Sequence, residues 1–335
     1  MRGLVPWIVG LWSIVWALAC TAPSNTDMPT ERTAAPAIQS APPRPEPTAS
    51  ALPIVVPAGT IKPVDPKRPL RVGVTLHPYY SWTKSVAGDG PEVEVRSILP
   101  GEVDAGNYQP RPEDIKKLGD LDAIVVNGIG HDDFIGGMIQ ASGNTHLVVI
   151  KPNEATPLLK AARGGAVNSH TFISFTNAVQ QTYAIERALA ALRPDLAPRF
   201  SENAGRYGAR LRQIRAEAAK KLADAKAKRV VTVHDGYGYL CQEFGIDVAG
   251  VVEPAHGLVP SASELGEMID LLKREKISIV LSEETFPDKL LGVLKDAAKV
   301  NVFIITHIAS GAYTADKFEK EMAKNADTLV KALAP

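Results

Sequence analysis

From Leu70 onward, apolar and β-branched runs alternate with amphipathic segments of helical periodicity. The runs are short and lack alternating polar positions, which is typical of strands in a parallel sheet that helices cover on both faces. They fall into two groups of four, so the pattern predicts an α/β protein with two lobes, each built on a parallel sheet. The eight predicted strands are residues 70–76, 92–99, 121–127, 146–150, 229–235, 246–252, 277–283 and 300–306.

Between the two groups, residues 175–228 have almost no strand character and are rich in alanine, arginine, lysine and glutamate. Pro194 interrupts this stretch, and residues 196–228 are long enough for one helix of about 45 Å at about 1.5 Å per residue. We therefore predict an N-terminal lobe at 70–174, connecting helices at 175–228 and a C-terminal lobe at 229–335, with a long rigid helix joining the lobes.

The N-terminus carries one arginine and then a mostly apolar run that closes on Ala17-Leu18-Ala19-Cys20. This run is too short to span a bilayer comfortably and has small residues before Cys20, which is typical of an export signal over residues 1–20. It resembles a bacterial lipoprotein signal, in which Cys20 becomes the acylated first residue, although Ala17 stands where leucine is usual. The resemblance implies a lipoprotein anchored to a membrane and facing the periplasm or the cell surface. Plain secretion and a short membrane anchor are the alternatives.

Residues 21–69 contain 12 of the 26 prolines of the chain, amid alanine, serine and threonine. Such a composition buries too little apolar surface to offset the entropy of ordering, so we predict a semi-extended tether. At about 3.1 Å per residue in the polyproline conformation, the tether would hold the folded part up to roughly 150 Å from its anchor.

The composition excludes several classes of protein. Apolar residues make up 45% and charged residues 22% of the 335 residues, which are ordinary values for a globular protein. Lysine plus arginine equals aspartate plus glutamate at 37 each, so there is no electrostatic case for nucleic-acid binding. The only two cysteines, Cys20 and Cys241, are too few for a disulfide scaffold or a zinc ribbon.

Most of the seven histidines are predicted to lie at one edge of the sheets. Open parallel sheets bind ligands beyond the carboxyl ends of their strands, and a histidine closes or follows four of the predicted strands. A fifth histidine stands in the loop that leads into the connecting helices. Imidazoles that converge from separate strands suit zinc or a similar ion, because neutral nitrogen ligands favour such ions over magnesium or calcium. The five are His77, His131, His170, His234 and His307, whereas His146 opens a strand at the opposite edge and is predicted to be structural, and His256 is undecided.

Several phrases along the chain match the motifs of one family. Asp104-Ala-Gly-Asn-Tyr108-Gln-Pro110 looks like an Asp-Pro-His-x-Tyr-x-Pro motif, and Asn127-Gly-Ile-Gly130 looks like an Asn-Gly-x-Gly turn. Further matching phrases are Asn168-Ser-His170-Thr-Phe172, the run from Arg193 to Tyr207, His234-Asp-Gly-Tyr-Gly-Tyr239, Pro260-Ser261 and Glu283. Over residues 70–333 the chain therefore resembles the substrate-binding lipoproteins of bacterial zinc and manganese ABC importers, the cluster A-I metal-binding proteins. The resemblance implies a monomer that binds a divalent metal and delivers it to an ABC permease with a cytoplasmic ATPase.

The resemblance places His170 and His234 at ligand positions. Manganese-type members have a glutamate where His234 stands, so this histidine favours Zn²⁺, with Mn²⁺ or another divalent transition metal as alternatives. Many members have an aspartate as the fourth ligand near the last strand, where this chain has Thr306 and then His307. Glu283 matches an acidic residue near the family's cleft and is a candidate ligand or a partner of one.

The first ligand position departs from the family. Alignment of Asp104 and Tyr108 on the family motif puts Gly106 where histidine is usual, and glycine has no side-chain donor. Either His131 or His77 rebuilds the site from the same lobe, or metal binding is weakened or lost. His131 follows the Asn-Gly-x-Gly turn directly, which favours it over His77.

Two other functions remain open at this point. A zinc hydrolase would hold an activated water beside a carboxylate, but the chain has no His-Glu-x-x-His or Gly-x-Ser-x-Gly sequence, and Cys241 lies in a predicted apolar helix as an ordinary buried thiol. A degenerate family member that serves as a surface interaction protein would explain Gly106. We predict that the protein is not an enzyme. Because bonds from zinc to nitrogen are about 2 Å long, we expect the rings of His170 and His234 to lie within about 8 Å of each other.

Overall fold

Most of the chain beyond residue 60 is described by a computed structural model. The predicted signal with Cys20, the predicted tether up to residue 60 and His256 lie outside the described residues. Within the described part, no helix is both long and apolar enough to cross a membrane. The described residues are 61–162, 165–225, 228–255 and 257–333.

The prediction of two parallel sheets flanked by helices is confirmed. Each predicted segment contains one strand, and each strand is shorter than the segment. The first sheet contains β1 Leu70–Val74, β2 Val93–Ser97, β3 Ala123–Val125 and β4 Val148–Ile150, and the second contains β5 Arg229–Thr232, β6 Asp247–Val251, β7 Ile279–Ser282 and β8 Asn301–Ile304. All pairs of neighbouring strands are parallel, in the orders β2-β1-β3-β4 and β6-β5-β7-β8.

Strands inside the sheets are apolar on both faces because helices cover both. Every residue of β3 and of β7 is buried. A strand in this position cannot show the alternating polar pattern of a half-exposed sheet. The burial explains why continuous apolar runs identified the strands.

Helices cover both sheets and connect them along the chain. Helix α9 returns from the second sheet to pack against α1 and α5, so the C-terminal end of the chain contacts helices that precede the second sheet. The helices are α1 His77–Ala87, α2 Pro112–Lys116, α3 Ile135–Ser142, α4 Phe175–Leu192, α5 Ala197–Leu222, α6 Gly238–Glu243, α7 Ala262–Arg274, α8 Asp288–Ala298 and α9 Lys317–Leu333.

The segment between the sheets forms two helices, α4 and α5, that pack against each other. Pro194 begins a short 3-10 turn, Pro194–Leu196, that separates them, as the proline predicted. Helix α5 has 26 residues and is about 39 Å long at about 1.5 Å per residue. It ends at Leu222, short of the predicted end at residue 228, because the chain must turn to enter β5 at Arg229.

The buried carboxylate of Glu243 ties three helices together. Glu243 ends α6 and accepts hydrogen bonds from the backbone N–H groups of Phe175 and Thr176, both at 2.9 Å, at the start of α4. Arg215 of α5 donates to the same carboxylate from Nε at 2.8 Å. Because a helix leaves its first N–H groups without partners inside the helix, Glu243 supplies acceptors that α4 needs.

We expect Glu243→Ala to lower the free energy of unfolding by about 2–3 kcal/mol, because the substitution removes charge-assisted hydrogen bonds to partly buried donors. The control is Glu202→Ala, which removes an exposed ion pair with Arg206 and should change the free energy of unfolding by less than about 0.5 kcal/mol. Urea unfolding followed by circular dichroism measures both. Equal effects of the two substitutions would contradict the role given to Glu243.

Candidate metal centre

Four imidazoles lie together at the carboxyl ends of strands from both sheets. His131 lies in the loop after β3, and His170 lies in the loop before α4. His234 and His307 follow β5 and β8 of the second sheet. The structure therefore brings together four of the five candidate histidines, at the edge that the rule for parallel sheets predicts.

His170 and His234 face each other through their Nε2 atoms, which are 3.0 Å apart. Both residues are buried, with 6% and 3% of their surface exposed. Two nitrogens bound to one zinc ion at about 2.0–2.1 Å in tetrahedral geometry would be about 3.3 Å apart. The expectation that the two rings lie within about 8 Å is met, and their spacing is close to that of two ligands of one ion.

The second nitrogen of each ring is held by an oxygen that accepts a hydrogen bond. His234 Nδ1 lies 3.1 Å from Glu253 Oε2, and an ionised carboxylate only accepts. His170 Nδ1 lies 3.0 Å from Asn168 Oδ1, and the amide orientation is fixed because Asn168 Nδ2 donates to the Asp235 carbonyl at 2.8 Å. When both rings are neutral, these acceptors place the hydrogen of each ring on Nδ1, and the two Nε2 lone pairs point at each other.

His307 repeats this arrangement beside the pair. Its Nδ1 lies 3.0 Å from Glu283 Oε2, and its Nε2 lies 3.2 Å from Asp104 Oδ2. The other oxygen of Asp104, Oδ1, lies 3.6 Å from His131 Nε2, so one carboxylate lies between an imidazole of each lobe. His170, His234 and His307 thus each have Nδ1 held by an oxygen and Nε2 directed inward, as in carboxylate–histidine–metal triads.

The charges around His307 keep its ring protonated in the absence of an ion. Burial alone would lower the pKa of His307, but its hydrogen bonds with Asp104 and Glu283 and their negative charges raise the pKa to about 10. Burial also works to raise the pKa of Glu283, yet the hydrogen bond and the charge of His307 hold that pKa below its usual value. A metal would have to displace this proton for His307 Nε2 to act as a ligand.

The donors are paired with one another and do not yet surround one point. In the described part of the chain, no three His, Cys, Asp or Glu side chains are already placed to hold a single ion. The ring centroids of His131 and His170 are 4.9 Å apart, and those of His234 and His307 are 5.4 Å apart. Binding of an ion by all four rings therefore requires side-chain rotations and the opening of the pair between Asp104 and His307.

A cavity of about 350 Å³ opens beside the imidazoles. Its walls are rich in carboxylates, which attract cations and repel anions. The titratable residues that line it are Glu102, Asp104, His234, Glu253, Glu283 and His307.

His77, the fifth candidate, is held by a different set of partners. Its Nε2 lies 2.9 Å from the Gly311 carbonyl oxygen. Its ring stacks on the ring of Tyr313, with centroids 3.9 Å apart and planes 3° apart. Of the two residues proposed to replace the missing histidine, His131 is therefore the one that lies with the other imidazoles.

Sequence reasoning did not identify Asp104 and Glu253 as site residues. Asp104 entered only as the first residue of a motif, and its Oδ1 also accepts a hydrogen bond from Gly106 N–H at 2.9 Å. Glu253 follows β6 in the same way that Glu283 follows β7. Parallel sheets bind ligands beyond the carboxyl ends of their strands, and this rule identifies Glu253 when it is applied to carboxylates as well as to histidines.

Two predictions concern groups outside the cluster. Cys241 is buried in α6, and burial raises its thiol pKa to about 12, so the prediction of an ordinary buried thiol is confirmed. His146 precedes β4 and is exposed, and its backbone N–H donates to Asn144 Oδ1 at 3.2 Å. His146 therefore lies at the opposite end of β4 from the four imidazoles.

The chain matches one protein family over residues 72–332, described as zinc-uptake complex component A periplasmic, ZnuA. It is 25% identical over 268 residues to a putative metal-binding protein of Treponema pallidum, a match that covers 76% of this chain and 82% of that protein. It is 22% identical to the high-affinity zinc uptake system protein ZnuA of Bacillus subtilis, over 67% of this chain and 74% of that protein.

Among solved structures, the chain is similar to the substrate-binding protein FpvC of Pseudomonas aeruginosa in complex with Mn²⁺. The two are 42% identical with a TM-score of 0.74, and the match covers 79% of this chain and 98% of FpvC. A second structure of FpvC contains Ni²⁺. These relatives are metal-binding and metal-uptake proteins and not enzymes, in agreement with the prediction. With a match over residues 72–332, the chain belongs to the ZnuA family of periplasmic zinc-uptake components.

Proposed function

We propose that this protein binds a divalent transition metal outside the cytoplasm and delivers it to an ABC permease driven by a cytoplasmic ATPase. The observation that carries the proposal is the pair of Nε2 atoms of His170 and His234, 3.0 Å apart. Their Nδ1 hydrogens are already used by Asn168 and Glu253. Two opposed lone pairs repel each other, and a cation bound by both converts this repulsion into attraction.

The proposed ligands are the Nε2 atoms of His170, His234, His131 and His307. His131 supplies the nitrogen that Gly106 cannot. A set of four nitrogen donors favours zinc over magnesium or calcium, so zinc is the proposed substrate. The structures of FpvC with Mn²⁺ and Ni²⁺ support the inclusion of other divalent transition metals.

The geometry suits capture and not catalysis. A catalytic zinc keeps a coordination position for water, whereas four protein ligands from two lobes would close the coordination sphere. Release to a permease then requires the lobes to separate. Because bending of α5 would break its backbone hydrogen bonds, we expect this separation to be small.

We further propose that the protein is a monomeric lipoprotein, anchored through Cys20 and held away from the membrane by residues 21–69. The description of the family as periplasmic supports an extracytoplasmic location. The signal over residues 1–20 supports export, and the proline-rich composition after it supports a spacer.

We expect His170→Ala and His234→Ala each to weaken zinc binding by more than about 100-fold, because each removes a ligand and not merely its support. The control is His146→Ala, which removes an exposed imidazole at the far end of β4. Elemental analysis after purification without chelator, with titration against a competing zinc indicator, measures the effect. Wild-type protein that binds no divalent metal would favour the degenerate surface protein and contradict the proposal, as would wild-type affinity in both variants.

Glu253→Gln should weaken zinc binding by about 10-fold or more, because the carboxylate orients His234 and makes its Nε2 more basic. Glu284→Gln is the matched control, since its side chain is 78% exposed and pairs with Lys324 at 3.5 Å. Competition with a chelator measures both dissociation constants. If the two variants bind equally well, Glu253 does not orient a ligand.

The protonated His307 ring predicts a pH dependence of the metal-free protein. Its pKa rises from 6.5 to about 10 on folding, so His307 stabilises the fold fully below pH 6.5, and this stabilisation is lost as the pH rises through about 10. We expect Asp104→Asn to reduce the loss of unfolding free energy between these pH values, whereas the exposed control Asp133→Asn should not. Urea unfolding at a series of pH values measures the slopes. Parallel slopes for wild type and Asp104→Asn would contradict the assignment.

A further inference from the structure

Residues 307–314, here called the interlobe segment, connect the second sheet to the helices of the first lobe. The segment follows β8 and precedes α9. Both polar groups of Gly311 are bonded to the first lobe: its N–H donates to the Gly101 carbonyl at 2.8 Å, and its carbonyl accepts from His77 Nε2 at 2.9 Å. Thr314 is bonded there too, since its carbonyl accepts from Ser81 Oγ at 2.8 Å. The interlobe segment is therefore attached to the first lobe at two points.

The two backbones at the first attachment approach each other closely. A Cβ atom on Gly101 would lie 2.5 Å from the Gly311 carbonyl oxygen, and Gly311 has a φ of +97°. Both positions therefore require glycine. His77 completes this attachment from the other side, because its ring is 2% exposed, donates to Gly311 and stacks on Tyr313.

Between this attachment and β8, the backbone is strained. Ile308 has a φ of +60°, which is unfavourable for a β-branched residue, and its side chain is fully buried. On the β8 side, Ile308 N–H donates to Thr306 Oγ1 at 3.0 Å, and Thr306 is bonded to Asn325 through both its N–H and its carbonyl. Such a conformation persists only where its surroundings hold it on both sides.

His307 lies between Thr306, which is bonded to Asn325, and Gly311, which is bonded to the first lobe. It is next to the strained Ile308. Its ring reaches Asp104 of the first lobe and Glu283 of the second. Ile308 also lines a cavity of only about 10 Å³, together with His77 and His131, so there is little free space into which the turn could relax.

We propose that His77 is a positioning residue for the metal centre: by holding Gly311, it fixes the interlobe segment and so the place of His307 Nε2. This role rests on the proposed function, in which His307 is a ligand. It gives His77 a task that differs from metal ligation, and it links the contact between the lobes to the placement of one ligand through the hydrogen bond to Gly311 and the ring stacked on Tyr313.

The test is a double-mutant cycle in the full-length protein. We measure zinc dissociation constants by chelator competition for wild type, His77→Ala, His307→Ala and the double variant. His77→Ala should weaken binding by about 10–100-fold in the wild-type background and have little further effect in the His307→Ala background. A role in stability alone would give the same loss in both backgrounds.

Two further variants separate the effect of the hydrogen bond to Gly311 from the effect of the ring stacked on Tyr313. His77→Gln keeps an N–H donor, and His77→Phe keeps a ring that can stack on Tyr313. We expect the affinity of His77→Gln to lie closest to wild type, and the visible spectrum of bound Co²⁺ to shift in His77→Phe and not in His77→Gln. If His77→Ala does not fold, His77→Phe replaces it in the double-mutant cycle with His307→Ala.

The outcomes distinguish the two proposals. Wild-type protein that binds no metal overturns the proposed function and the positioning role with it. Wild-type protein that binds zinc, with equal losses from the His77 substitution in both backgrounds or with no loss at all, overturns the positioning role alone. His146→Gln, the exposed control, should leave both affinity and spectrum unchanged.

Discussion

Two neutral imidazole rings cannot stably point their lone pairs at each other at hydrogen-bonding distance, and the rest of the site depends on how the protein resolves this conflict. His170 and His234 are in that position because Asn168 and Glu253 already accept the hydrogens on Nδ1. A shared proton or a shared cation removes the conflict. A shared proton makes a positively charged pair of imidazoles, which is costly to bury. A shared metal cation makes half of a metal site.

A competing interaction is built into the same centre. Asp104 and Glu283 hold the protonated ring of His307, so the centre without an ion is a network of carboxylates and imidazoles that satisfy one another. In the proposed function, a metal must replace a proton on His307 and displace Asp104. The proposal therefore makes the affinity for the ion the difference between two well-bonded states, and it predicts that this affinity falls as the pH falls because protons compete for the same nitrogens.

Much of the architecture could be predicted from the sequence because it follows from burial. Strands covered on both faces must be apolar throughout, and parallel strands must place their following loops at one edge. This rule predicted that His131, His234 and His307 lie together. It predicted the same of His77, whose partners are instead Gly311 and Tyr313. The positioning role proposed for His77 could not be predicted in this way. It depends on a contact with Gly311, 234 residues away, and on the φ angle of Ile308, and neither leaves a pattern in neighbouring residues.

The orientation of the imidazole rings could not be predicted either, since the sequence does not record which nitrogen of His234 contacts Glu253. The most direct test of the account is therefore a crystal structure of the zinc-loaded protein with anomalous diffraction measured at the zinc edge. The account predicts one anomalous peak at about 2.0–2.1 Å from Nε2 of both His170 and His234, with Asp104 moved away from His307. Zinc bound elsewhere, with the two Nε2 atoms still facing each other and no ion between them, would contradict it.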